Sequence, residues 1–450
     1  MKRRCILSCL ISLVAVAAFA GGATEAGGST AKFGIPTGDL SGRTLEVLYM
    51  VGGQRQMGDP IIEKLKKLYP GLTINIQYDH NAHEIMRSKV MAGNPPDIFD
   101  LNQGLYDYYG AISEGICMPL NELFEQPAVD TSKKIKDYID LDMFTKGKVD
   151  GKYYLVPDAI YTSGLWYSGK LLKSCGIKPP KTWAEFMSAC EVLKSKNIYP
   201  FAYYGSFAHE YPLDYFFFPM LAAIDYQAYV DIQNLKEGAW KSAAVRKLVG
   251  RIEEMIKKGY IDPNSPTYDI TCQVNFIKYT IGFIPCGSWL EAEMEGSWPG
   301  DFDLTYLPWS GSEKANGTNY TLQASVVSAV SAKSKNLDIV TEWYRYFLTD
   351  KETITAVVNM HKNGLALKNF SRDFGALLPK SVQGTWDALS SGNKPIVDLW
   401  TAWYKEAGTG FGDAFNALVA GKITGEEFMN RLDAQDTKLR KDSSITKYTY

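Results

Sequence analysis

The sequence predicts an α/β fold with a parallel sheet, divided into at least two lobes. Strand and amphipathic helix patterns alternate over residues 45–101, and such alternation requires right-handed crossovers and therefore parallel strands. The chain is also long. Of its 450 residues, 430 remain if a leader of 20 is removed. A single hydrophobic core stops growing at roughly 250 to 300 residues, so more than one lobe is expected.

The first five elements follow from hydrophobic periodicity. Strands are predicted at 45–51, 72–78 and 98–99, and helices at 60–69 and 83–92. Pro95 and Pro96 end the second helix, because proline has no amide hydrogen and excludes the preceding residue from helical geometry.

Polar residues follow the first and third strands. Asn102 and Gln103 emerge after the third strand, and Gln54 and Arg55 follow the first strand and its two glycines. Open α/β sheets hold ligands at the carboxyl ends of their strands. We therefore predict that these four residues face a ligand cleft.

The later elements are predicted from caps and periodicity. Thr182 is expected to cap a helix over 183–196, with Glu185 near its first turn. Further helices are predicted at 243–257, 337–348, 354–358 and 426–439. The glycines of 408–412 lack a preceding strand, so this segment is predicted to be a turn rather than a nucleotide-binding loop.

The start of the chain has the pattern of a secretion signal. A basic segment precedes an apolar stretch over 6–19, and Ala18-Phe19-Ala20 is typical of a cleavage site. We predict a signal peptide over 1–20, a flexible Gly/Ala/Ser/Thr-rich leader over 21–42, and a soluble exported protein. No cysteine follows Ala20, so a lipid anchor is not expected. No later stretch approaches the roughly 20 apolar residues of a membrane span.

Composition excludes several classes of function. The formal charge is −2 with no basic cluster, so no nucleic-acid partner is expected. Five of the seven cysteines lie beyond the signal. Export permits disulfides, and the pairs Cys175 with Cys190 and Cys272 with Cys286 stay open. Aromatic residues make up 13% of the chain. An excess of tyrosine suits surfaces whose centre is apolar and whose edge contacts water, because tyrosine combines an apolar ring with a polar hydroxyl.

Enzyme signatures are absent from the sequence. It contains no Gly-x-Ser-x-Gly elbow, no His-Glu-x-x-His helix and no phosphate-binding Gly-Lys-Ser/Thr loop. His80, His83 and Glu84 form the nearest approach to a metal cluster, and we interpret them as a loop and helix start. No metal or cofactor is therefore expected.

Eight short fragments in order and spacing resemble a known family. They lie at 69–74, 92–97, 151–157, 165–172, 176–186, 287–289, 306–308 and 421–424. The chain resembles the extracellular solute-binding proteins of ABC importers, in the carbohydrate-binding class that includes maltose-binding protein. The resemblance covers nearly all of 43–436. Ser168-Gly169 departs from it, because the family usually has Asn-Lys there.

The resemblance implies a hinged, two-lobed periplasmic-binding-protein fold with three interlobe crossings. By this likeness the N-terminal lobe holds 43–157 and 310–362, and the C-terminal lobe holds 158–309 and 363–450. The crossings would fall near Pro157, Pro308 and Gly364. It also implies a monomer that binds a carbohydrate ligand, closes around it, and delivers it to the transmembrane subunits of an ABC permease.

The resemblance also implies stacking residues. Trp289 lies in the Gly-Ser-Trp fragment, whose tryptophan commonly stacks on sugar in this family; the alternative is that Trp289 belongs to the core. Tyr215 lies just before three phenylalanines that we assign to the core, in a segment that supplies a stacking tyrosine in maltose-binding protein. Tyr161 lies at the position where, in this family, side chains of the crossing strand extend into the cleft.

Further candidates are acidic or aromatic residues near predicted cleft positions. They are Asp158, Glu291, one of Tyr203 and Tyr204, Trp309, Trp400 and Trp403. The two acidic residues have the alternative of being solvated surface charges. Asp97, in contrast, is expected to hydrogen-bond within its own turn.

Two other functions remain open from sequence. An exported glycoside hydrolase would need two carboxylates facing each other across a groove, and Asp158 with Glu291 is the pair to consider. A ligand-sensing subunit that docks on a membrane receptor would share the same fold and cannot be separated from an import protein by sequence.

Overall fold

The computed structural model describes residues 31–50, 56–101, 108–129 and 131–450. The predicted signal peptide and the first ten residues of the leader lie outside this range. In the described part, eleven strands occur: β1 Thr44–Met50, β2 Thr73–Asp79, β3 Ile98–Asp100, β4 Lys148–Val149, β5 Lys152–Tyr153, β6 Leu155–Ser168, β7 Tyr199–Phe201, β8 Ile281–Gly287, β9 Leu304–Leu307, β10 Tyr320–Val330 and β11 Lys394–Ile396.

Eighteen α-helices surround these strands in the described residues. They are α1 Asp59–Leu68, α2 Ala82–Met91, α3 Tyr108–Ser113, α4 Asn121–Phe124, α5 Gly169–Ser174, α6 Trp183–Ser195, α7 Phe218–Ile224, α8 Tyr226–Gln233, α9 Ala243–Lys257, α10 Thr271–Ile277, α11 Leu290–Glu293, α12 Leu337–Thr349, α13 Lys351–His361, α14 Phe370–Phe374, α15 Lys380–Ser390, α16 Trp400–Trp403, α17 Lys405–Val419 and α18 Gly425–Lys441.

The predicted strand and helix alternation is present at the start of the fold. β1 pairs in parallel with β2 on one side and with β3 on the other, as right-handed crossovers require. The α1 helix buries Ile61, Ile62 and Leu65 on one face. Hydrophobic periodicity predicts these three and Leu68 on that face, and Leu68 is the one that is not buried. The cap of α6 is also as predicted, since the Thr182 side chain accepts a hydrogen bond from the Glu185 amide.

The predicted parallel arrangement is confirmed for β1, β2 and β3, but the main sheet as a whole is mixed. Its order is β2-β1-β3-β10-β6-β8-β7, with β9 on β6 and β11 on β10. β10 runs antiparallel to both β3 and β6, and β6 runs antiparallel to β8. The two long strands enter this sheet from distant parts of the chain, and local periodicity carries no information about their direction.

Buried apolar side chains form two large cores at opposite ends of this sheet. The first core includes Val47, Ile98 and Trp343. The second core includes Phe217 and Trp240 and is rich in aromatic rings. Two cores joined by a shared sheet form a two-lobed fold.

Within the described residues, the chain passes between the two cores three times. Along β6, Ile160 packs in the first core and Leu165 in the second. Along β10, Leu322 packs in the second core and Val330 in the first. The third passage lies within α15, between 386 and 388. In each case the side chains change core further along the chain than the predicted crossings, and the exact lobe boundaries remain a prediction.

The glycines of 408–412 lie inside α17, so the predicted turn is wrong. Phe411 and Phe415 are fully buried in the second core, and this burial outweighs the low helix propensity of glycine. A Cβ at Gly412 would stand 3.0 Å from the backbone nitrogen of His209. The glycine therefore allows the helix to approach the segment that carries part of the site described below.

Two smaller expectations are also corrected. Asp97 does not serve its own turn: its carboxylate accepts hydrogen bonds from the Glu46 amide, the Ser334 hydroxyl and the Asn336 side chain, and so joins β1 to the segment before α12. The five cysteines beyond the signal are all free, so neither candidate disulfide forms. Within the described residues, no helix combines the length and the apolar character that crossing a bilayer requires.

Candidate functional site

An aromatic cluster lies where the two cores meet. The ring centroid of Trp289 is 5.3 Å from that of Tyr161, 5.6 Å from that of Tyr215 and 6.3 Å from that of Tyr211, in edge-to-face arrangements. The ring of Tyr204 stacks on Tyr211 at 4.8 Å. The tyrosines at 161, 211 and 215 are buried, whereas Trp289 and Tyr204 are half-buried. Four residues predicted from separate parts of the sequence, Trp289, Tyr161, Tyr215 and Tyr204, therefore come together.

The end of β8 positions the Trp289 ring. β8 is fully buried and ends at Gly287, so the tryptophan follows directly at the carboxyl end of a strand. A Cβ at Gly287 would lie 2.0 Å from the Trp289 ring, which is closer than any side chain can approach. Glycine here makes room for the tryptophan itself, which folds back over the strand end.

A buried hydrogen-bonded chain supports this strand end from the other lobe. The Ser288 hydroxyl donates to the Asn363 side-chain oxygen at 2.6 Å and accepts from the Thr162 amide at 3.3 Å. The Asn363 amide donates to Nδ1 of His361 at 3.0 Å. His361 belongs to α13 on the first core, so the chain connects that core through Ser288 to the residue beside Trp289.

His361 gives this connection a pH dependence. Burial lowers the pKa of His361 from 6.5 to about 4, so the unfolded chain binds a proton between these values that the folded chain does not. The stability that His361 contributes is therefore fully present above pH 6.5 and is lost as the pH falls toward 4. We expect His361→Gln to flatten the decline of melting temperature over this range. The exposed His80, changed to Gln, is the matched control and should follow the unmodified chain; equal slopes for all three proteins would contradict the assignment.

The segment 210–217 brings the tyrosines to the tryptophan. It forms a wide helical turn over Leu213–Phe217 that continues into α7. The phenylalanines at 216–218 are buried in the second core, as predicted, which directs Tyr215 toward Trp289. The hydroxyl of Tyr215 donates to the Glu210 carboxylate.

A buried group of titratable side chains adjoins this segment. Asp214 and Asp398 are 4% and 1% exposed and hydrogen-bonded to each other, and Lys146 is 6% exposed. Burial raises the pKa of Asp214, and the charge of Asp398 raises it further. Burial lowers the pKa of Lys146, opposed by the charges of Asp214, Asp398 and Glu210. Phe144, two residues before Lys146, packs in the first core. The buried group of Lys146, Asp214 and Asp398 therefore joins the two lobes.

Trp403 is the other predicted residue that lies between the lobes. It is half-buried and packs against both the second core and a small cluster around Phe99 beside the first core. Its ring lies 6.4 Å from that of Tyr109 on α3. Trp400, in contrast, is fully buried and donates its indole N–H to Asp436 at 3.1 Å.

The remaining predicted residues lie apart from the aromatic cluster or outside the described range. Trp309 is 3% exposed and packs on Phe186, although it lines a small cavity together with Tyr215. Asp158 is the extra residue of a bulge in β6 and accepts from Ser328. Glu291 accepts from Ser381 of α15. Four predicted residues lie outside the described residues: Gln54, Arg55, Asn102 and Gln103.

Sequence reasoning missed several residues that the fold brings to the site. They are Lys146, Glu210, Tyr211, Asp214 and Asp398. The Glu-Tyr-Pro-Leu-Asp-Tyr run at 210–215 mixes polar and aromatic residues just before a buried segment. This local pattern could have identified Glu210, Tyr211 and Asp214 as candidate site residues. Lys146 and Asp398 have no such local context, because only the tertiary fold brings them together.

The arrangement suits binding of a flat, hydroxyl-rich molecule. Aromatic rings offer apolar faces, and carboxylates and tyrosine hydroxyls next to them offer hydrogen bonds. No set of three or more His, Cys, Asp or Glu side chains suited to a metal ion occurs in the part of the chain that the structure describes.

The chain matches a known protein family. A model described as "Bacterial extracellular solute-binding protein" matches residues 53–354. A curated relative, the diacetylchitobiose-binding protein of Streptomyces coelicolor, is 24% identical over 432 residues, which cover 92% of this chain and 88% of that protein.

Solved structures share the fold. A chitin oligosaccharide binding protein aligns with a TM-score of 0.69 and 20% identity over 88% of this chain and 98% of its own. A solute-binding protein solved in complex with raffinose aligns with a TM-score of 0.66 and 18% identity over 87% of this chain and 98% of its own. At these identities the likeness establishes a two-lobed binding-protein architecture.

Proposed function

The chain belongs to the family of bacterial extracellular solute-binding proteins, and from this premise we propose that it captures a sugar or oligosaccharide between its lobes and delivers it to an ABC permease. The observation that carries the proposal is the half-buried Trp289 ring, held among tyrosines at the junction of the two cores. Sugar rings have apolar C–H faces and polar rims, and an aromatic face beside hydrogen-bonding groups recognises both.

The relatives support a saccharide as the ligand. They bind diacetylchitobiose or chitin oligosaccharide by name, or were solved with raffinose, and all three are short saccharides. We propose that the protein works as an exported monomer without nucleic-acid partners, after removal of residues 1–20. We propose no catalytic role, cofactor or lipid anchor.

The two lobes explain how binding becomes a signal for transport. A ligand that contacts both lobes stabilises the closed arrangement by its difference in affinity for the closed and open states. Tyr215, which contacts the proposed ligand-binding Trp289, is the sequence neighbour of Asp214, whose charge acts on the buried Lys146. The residues that we propose to contact the ligand are Trp289, Tyr215, Tyr161, Tyr204 and Trp403, together with Gln54, Arg55, Asn102 and Gln103, which lie outside the described residues.

A thermal-shift screen over a panel of mono- and oligosaccharides tests the function. A ligand at 100 times its Kd should stabilise the native chain by about 2.7 kcal/mol, and the melting temperature should keep rising with ligand concentration. The bound saccharide should be recovered intact by mass spectrometry. A panel without any concentration-dependent shift would reject the proposal, and cleaved product would favour a hydrolase.

A further inference from the structure

Residues 442–450 leave the end of α18 and return over the second lobe to the place where the lobes meet. The amide of Tyr450 donates to the Asn234 side chain at 2.7 Å. The Tyr450 ring packs edge-on against Tyr229 of α8, with centroids 5.6 Å apart. The amide of Tyr448 donates to the Tyr404 hydroxyl at 3.2 Å. Two anchors therefore fix the path of this segment, which we call the strap.

The strap places the Tyr448 ring on the face of Trp403. The two rings stack at 5.3 Å with an interplanar angle of 22°. Tyr448 also lies 5.1 Å from the ring of Tyr109, which packs in the cluster beside the first core and itself lies 6.4 Å from Trp403. One ring of the strap therefore contacts both lobes, as a ligand in the cleft would.

A continuous line of side chains leads from the aromatic cluster to the strap. Trp289 contacts Tyr215, the neighbouring Asp214 hydrogen-bonds Asp398, and Asp398 caps the turn that leads into α16 by accepting from Thr401. Trp403 ends α16. Because Trp403 packs against both lobes, the strap lies at one end of the cleft between them.

We propose that Tyr448 determines ligand length: its ring covers the Trp403 face and closes this end of the cleft, so that short saccharides fit beside Trp289 while longer ones must displace the strap. This inference rests on the proposed function. It follows from stacking, because a sugar ring and the Tyr448 ring cannot occupy the same face of Trp403.

The experiment compares the full chain with Tyr448→Ala, Tyr448→Phe and a chain that ends at Lys441. Affinities are measured by calorimetry for a series from the disaccharide to the tetrasaccharide of one sugar. For Tyr448→Ala and the shortened chain, we expect at least tenfold tighter binding of the tri- and tetrasaccharide and less than twofold change for the disaccharide. Tyr448→Phe retains the ring and should behave as the full chain.

The outcomes separate this inference from the proposed function. If the full chain binds saccharides and the variants match it at every length, the strap inference fails alone. If the variants bind every length more weakly, Tyr448 contacts ligand directly and the inference is overturned. If all proteins bind the disaccharide equally and only the variants gain affinity for the longer saccharides, the inference is supported; if the full chain binds no length that the variants bind, it is overturned. If no protein binds any saccharide, the inference and the proposed function both fail.

Discussion

Replacing Trp289 with alanine should weaken saccharide binding by about 30-fold or more. Loss of a central aromatic anchor typically costs at least about 2 kcal/mol of binding free energy, and tenfold in Kd corresponds to about 1.4 kcal/mol. Trp289 is the ring around which Tyr161, Tyr211 and Tyr215 are arranged, so its removal also leaves their faces unsupported. Calorimetric titration with the saccharide found in the screen measures the effect.

Two further variants make this test specific. Trp183 is also half-buried against the second core, but it packs on Phe186 and under Arg251, away from Trp289. Trp183→Ala should leave the Kd within about threefold. Gly287→Ala keeps the tryptophan but puts a methyl group where its ring lies, so binding should weaken as well. Unchanged affinity in Trp289→Ala would show that the aromatic cluster is only structural.

Replacing Trp240 with alanine should lower the free energy of unfolding by about 3 to 5 kcal/mol, the usual cost of deleting a large buried aromatic ring. Trp240 is fully buried and its ring contacts Phe217, Trp400 and Phe428. Its indole N–H donates to Asp436 at 2.9 Å, so the change also removes one hydrogen bond from a buried carboxyl group. Urea denaturation followed by circular dichroism measures the loss.

Met91 provides the matched control for this stability measurement. It is 88% exposed at the end of α2. Met91→Ala should change the free energy of unfolding by less than about 0.5 kcal/mol. A comparable loss in both variants would contradict the assignment of Trp240 to a rigidly packed core.

The elements that sequence predicted correctly are those with strong local patterns. The α9 helix has the bounds that were predicted for it, and α6 begins at the expected Thr182 cap. The alternation of β1 to β3 with α1 and α2 also followed from period-two and period-3.6 patterns. In each case the information lies within a few residues of the element itself.

The ligand-binding role of the predicted residues stays a prediction, although several of them lie in one aromatic cluster. Trp289, Tyr215 and Tyr161 were proposed from separate fragments of a family resemblance, and the structure places their rings in contact. Trp309 is mostly enclosed, because the fold packs its ring against Trp183 and Phe186 at the start of α6. Whether an aromatic residue is core or surface depends on which element covers it, and composition does not decide that.

The sequence by itself determined the strand and helix alternation, the family, and the residue types available to the site. Tertiary structure alone decided the mixed sheet, the helical state of 408–412, the pairing of Asp214 with Asp398 and the stacking of Tyr448 on Trp403. The physical reason is the distance along the sequence over which each kind of interaction acts. Propensity, capping and periodicity act between neighbours in the chain, whereas these contacts join segments far apart in sequence, and they form only after burial of both cores has offset the loss of chain entropy.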